Sequence, residues 1–107
     1  MNTNQAMQEI IKQCEETNGF LVKLRVNSIF DSVQYQSLIE ALMIYEQAIA
    51  GDDVINRHVA GCIFYLVQVL ESMTGFYAQN ALENEFKVRN AHAEVWGLAE
   101  KVFSWPP

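Results

Sequence analysis

The chain has 107 residues, half of them hydrophobic and 19% charged, which is the balance of one folded domain and excludes a disordered segment. Seven Lys and Arg against 13 Asp and Glu give a formal charge of -6. That sign argues against a nucleic-acid binder, which carries a basic patch, and against docking on an anionic membrane surface. The most apolar stretch, Val59 to Leu70, falls short of the roughly 20 residues a membrane span needs. The polar start, Met1 to Glu9, does not read as a secretory leader.

Asn2 or Thr3 is placed to cap a first helix with Met7, Ile10, Ile11 and Cys14 on one stripe, and Asn18-Gly19 supplies a left-handed end. Phe20 to Phe30 is ambiguous. Phe20, Val22, Leu24 and Val26 alternate with Lys23 and Arg25 as in a strand, while Val22, Val26, Ile29, Phe30 and Val33 fit a helical stripe. A lone strand would leave an unpaired edge, so a helix is expected. Asp31-Ser32 followed by Gln34 starts a third helix that carries Leu38, Ile39, Leu42, Tyr45 and Ile49 inward, with Glu46 at the margin. Gly51 stops it. Asp52-Asp53 then cap the most apolar helix, with Val54, Ile55, Val59, Cys62, Ile63, Leu66, Val69, Leu70 and Met73 on a broad face extended by Phe64 and Val67. Ala60-Gly61 marks a flat spot for close helix packing, and Thr74-Gly75 is the expected end. The last helical region, Phe76 to Phe103, carries Leu82, Phe86, Ala93, Trp96, Ala99 and Phe103, with Asn80, Asn84 and Asn90 as candidate breaks. Trp105-Pro106-Pro107 closes it. Connections of one to three residues favour antiparallel neighbours. The expected fold is all-α, a compact bundle of four to five mostly antiparallel helices forming a single domain over 1–107.

The side chains that carry chemistry are sparse. His58 and Cys62, spaced i, i+4, share a helix face, but a metal site needs a third ligand, and nothing in the spacing ties Asp52, Asp53 or His92 to them. No Glu-x-x-His pair, nucleophile elbow or phosphate-cradling glycine loop occurs. Neither enzyme, metal nor cofactor is therefore expected. Cys14 and Cys62 each fall on an apolar stripe and read as buried free thiols of a reduced, cytoplasmic protein.

The acidic residues have a direction. Glu15, Glu16, Glu46 and Glu71 each fall in the last turn or two of an expected helix, where the dipole disfavours an exposed anion by roughly 0.3–1 kcal/mol. Together with Asp52 and Asp53 they suggest a surface that attracts a basic protein, and Glu83 and Glu85 add charge at the last helix start. Tyr35, Tyr45, Tyr65 and Tyr77 are candidate anchors, with Tyr45 taken as partner-binding and Tyr65 as core. The functional expectation is a non-enzymatic acidic protein-binding module. Its specific form is an inhibitor of the immunity or antitoxin kind, covering the active site of a basic toxin or nuclease. The alternative is a homo-oligomeric scaffold or adaptor, such as a homodimer, joined through an apolar face from Phe20–Val26 or from Trp96, Phe103 and Trp105.

Overall fold

The computed structural model of the chain describes residues 1–80 and 84–104. Asn2 opens α1 (Thr3–Glu15) with a reciprocal cap, its side chain accepting from the Gln5 N–H while Gln5 Oε1 accepts from the Asn2 N–H. α1 buries Ala6, Ile10, Gln13 and Cys14, with Met7 and Ile11 packed at the edge. The turn that follows corrects the reading of Gly19. Its backbone is extended at φ −76°, and glycine is needed there for space, because a Cβ would sit 2.5 Å from the Lys12 carbonyl oxygen. Gln13 seals this joint from within the core. Its Oε1 accepts from the Phe20 N–H at 2.9 Å and its amide donates to Glu9.

α2 (Phe20–Asn27) is helical and ends at Ser28, whose φ of 56° is left-handed. It buries the opposite face from the one expected. Phe20, Leu21 and Leu24 enter the core, while Val26, Ile29 and Val33 are exposed. Both faces are apolar, and the tertiary ring cluster decides between them: Phe20 lies 5.1 Å from Phe30 and 5.3 Å from Tyr35, centroid to centroid. Asp31 caps α3 (Ser32–Ile49) by accepting from the Gln34 N–H at 3.0 Å. Leu38, Ile39 and Leu42 are buried and Glu46 lies at the margin, as expected, and Tyr45 is buried with them.

Gly51, at φ 85°, turns the chain away. The next helix does not start at Asp52-Asp53, which lie in the connection. Asn56 is the cap instead, its Oδ1 accepting from the Val59 N–H at 3.0 Å as α4 (Arg57–Asn80) begins. This connection, 50–56, is longer than the expected one to three residues and leaves Val54 exposed. α4 then runs straight through Thr74-Gly75. Thr74 Oγ1 donates to the Leu70 carbonyl within the helix, and burial of Tyr77 one turn later rewards its continuation. The chain instead breaks before α5 (Glu85–Phe103), where Asn84 is left-handed at φ 69°. α5 buries Val88, Ala91, Val95 and Ala99, so Phe86, Trp96 and Phe103 stand outside. Small and β-branched residues on the inner stripe let α5 approach α4 closely, and the bulky rings flank that contact. Leu82, Glu83 and Trp105-Pro106-Pro107 lie outside the described residues.

Neighbouring helices are α1 with α3, α1 with α4, α4 with α5, and α5 with α3, so α3 and α4 sit on a diagonal. The short α2 packs against α1, α3 and α4. No strand occurs among the described residues, and the fold is an all-α compact globule. The radius of gyration is 13.6 Å, close to the ~13 Å of a compact chain of about this length. Because α4 continues past Gly75, its segment Arg57–Gln79 is long and apolar enough to cross a membrane by length and composition. Here it contributes Val59, Ile63, Leu66, Leu70 and Tyr77 to the core.

Candidate functional site

The residues expected to bind a partner separate into distinct places. Tyr45 is 1% exposed, and its hydroxyl accepts from the Asn56 N–H at 3.1 Å, which ties α3 to the start of α4. It is a core strut, and its assignment to a binding surface is corrected. Glu46 is half-buried on α3. Glu15 and Glu16 lie at the end of α1, and Glu15 lines a different hollow from Asp52 and Asp53. Glu71 is mid-helix, since α4 extends to Asn80, so the helix-end argument does not apply to it.

Asp52, Asp53 and Glu71 fall along one face. Three hollows there follow one another and share side chains. The first, about 310 Å³, is lined by Asp52, Asp53, Val54, Val102 and Phe103. Phe103 also lines the second, about 240 Å³, with Phe64, Val67, Trp96, Ala99 and Glu100. Trp96 continues into the third, about 400 Å³, beside Glu71, His92 and Ala93. The order of pairing, Phe64 with Phe103 and Glu71 with His92, shows α4 and α5 running antiparallel along this face. Phe64 is 61% exposed, Trp96 50% and Phe103 45%. A row of half-covered rings between carboxylates is unusual for a solvent face. Phe64 was expected to extend the buried face of its helix and is exposed, whereas Trp96 and Phe103 are exposed as the alternative apolar-face expectation had them; the stripe Val88, Ala91, Val95, Ala99 turns those two outward.

A second cluster lies where the end of α1 meets the start of α4. His58 Nε2 sits 2.8 and 3.0 Å from the two Glu15 carboxylate oxygens. The ligand atoms of Glu15, His58 and Cys62 all lie within 4.8 Å of one another. Cys14 and Cys62 are free and buried, as expected, and their thiols touch. The hydrogen bond between the two thiols pushes the Cys14 pKa up and pulls that of Cys62 down; burial raises Cys14 further. The hydrogen bond and charge of Glu15 raise the His58 pKa. These residues border a hollow of about 580 Å³ with Arg25, Arg57 and Tyr65. Tyr65 is 43% exposed, not core as expected. Gly61 opens this hollow, with nothing within 4 Å of a Cβ there, so it does not mark a close helix approach. The i, i+4 pairing of His58 with Cys62 was legible; the third donor, Glu15, comes from 43 residues away.

Elsewhere, Tyr35 donates to Glu94 Oε1 at 2.6 Å, and burial followed by this bond pushes the phenol's pKa well up. The bond ties α3 to α5 and accounts for Tyr35 as a structural tyrosine. No family model, no curated protein and no solved structure matches the chain.

Proposed function

We propose that the chain is a non-enzymatic protein-binding module whose α4–α5 face receives a cationic, amphipathic segment of a partner protein. One observation carries this reading: the exposed rings of Phe64, Trp96 and Phe103 form a row bordered by Asp52 and Asp53 at one end, Glu100 beside it and Glu71 at the other. Apolar anchors within an anionic border select a partner with an apolar stripe flanked by Lys or Arg. The net charge of -6 adds long-range attraction and makes association salt-dependent. An inhibitor that covers the active site of a basic toxin or nuclease is the specific form of this activity that suits such a surface.

The test uses two synthetic peptides of identical Leu and Lys composition, one arranged as an amphipathic helix and one scrambled. The amphipathic peptide binds at low salt, weakens as salt rises, and loses affinity for Phe64→Ala and for Asp52→Asn/Asp53→Asn/Glu100→Gln. Equal binding of the scrambled peptide, or indifference to both variants, refutes the proposal. Self-association that buries Phe64 and persists at high salt replaces it with a homo-oligomer.

A further inference from the structure

We propose that Glu15, His58 and Cys62 form a binding site for a Zn²⁺-class cation at the crossing of α1 and α4. The donor set is one carboxylate, one imidazole and one thiolate, drawn from the ligand types that zinc takes. Placement follows from two local facts. His58 and Cys62 stand one turn apart on α4 and so share a face, while Glu15 ends α1 directly opposite. Their donor atoms already lie within 4.8 Å of one another, and His58 Nε2 is 2.8 Å from Glu15. Zinc–ligand bonds of about 2.0–2.3 Å put tetrahedral donors roughly 3.3–3.8 Å apart, so side-chain rotation of about an ångström completes the set.

Cys14 has a separate part. It is a free, buried cysteine against Cys62, but its sulfur is not in the group of donor atoms that lie within 4.8 Å of one another, so it stands behind the site without being a ligand. On binding, the Cys62 thiol proton and any imidazolium proton of His58 leave to solvent, and the sulfur and nitrogen lone pairs form the new bonds. Arg25 and Arg57 border the same hollow, and the two anionic donors, Glu15 and Cys62, offset their repulsion of the ion. Three protein ligands leave a fourth position for water on the side of the hollow. This site is separate from the α4–α5 face and stands or falls independently of it.

The experiment titrates the reduced, chelator-treated 107-residue chain with Co²⁺ as the probe and Zn²⁺ as competitor. The expected result is a thiolate-to-cobalt charge-transfer absorption that saturates at one equivalent and is displaced by Zn²⁺. Cys62→Ser abolishes the absorption, and Cys14→Ser retains it. His58→Ala alters an exposed side chain, keeps the helical circular dichroism, and weakens binding by more than ~100-fold, above the ~10–100-fold that losing a residue behind the ligands costs. No thiolate absorption in the wild type overturns the proposal. So does absorption that survives Cys62→Ser, disappears in Cys14→Ser, or is indifferent to His58→Ala.

Discussion

Replacing Phe64 with alanine removes a ring whose exposure is 61%, so most of what it contributes is available to a partner and less to the fold. A phenylalanine presents roughly 200 Å² of surface, of which about 120 Å² is open here. Covering that area at about 25 cal/mol per Å² is worth ~3 kcal/mol, or ~100-fold in Kd, as an upper bound. The buried remainder, about 80 Å², costs the fold up to ~2 kcal/mol, within the ~5–15 kcal/mol stability usual for a domain. Calorimetric titration with the amphipathic Leu/Lys peptide gives the first quantity, and urea denaturation followed by circular dichroism gives the second. A Kd within about threefold of wild type, with the peptide still bound, refutes the claim that Phe64 anchors the partner.

Three further outcomes test the fold that positions the faces. Gln13→Met keeps side-chain volume but leaves the buried Phe20 N–H without its acceptor, at a cost of ~1–3 kcal/mol in urea denaturation; a loss under ~0.5 kcal/mol contradicts the sealing role. Gly19→Ala drives a methyl against the Lys12 and Gln13 carbonyls and destabilises by ~1–3 kcal/mol; equal or greater thermal stability rejects the close approach. The Asp31 carboxyl is held below its ordinary 3.8 by the Gln34 N–H and by Lys23, so the charged form is favoured in the folded state. Its contribution is present above pH 3.8 and is lost as pH falls through the lower folded pKa. Asn caps as well as Asp but does not titrate, so Asp31→Asn flattens the acid limb of the melting-temperature profile; identical limbs would falsify the linkage.

Local features of the fold were legible because their causes are local. The Asn2–Gln5 and Asp31–Gln34 caps join side chains to backbone within one turn, so residue type and spacing suffice. The face of α2 was not legible, since Leu21 and Leu24 compete with Val22 and Val26, and the contact of Phe20 with Phe30 and Tyr35 decides. Thr74-Gly75 resembles a helix end, but its weak local preference yields to the packing of Tyr77 beyond it. The proposed binding face was half legible. Asp52, Asp53 and Glu71 were singled out by charge and Trp96 and Phe103 as a separate apolar face, while Phe64 was assigned to the core because its helical spacing extends a buried stripe, and nothing in the spacing joined the three sets. The Glu15–His58 contact spans 43 residues, and no periodicity reports a pairing of that range.

The most direct measurement compares wild type with Phe64→Ala as baits in host lysate, bound at low salt, eluted in salt steps and identified by mass spectrometry. The wild type is expected to retain one basic protein that elutes at moderate salt and is missing from the variant. The same protein captured equally by both baits, or only the chain itself held at high salt, contradicts that expectation.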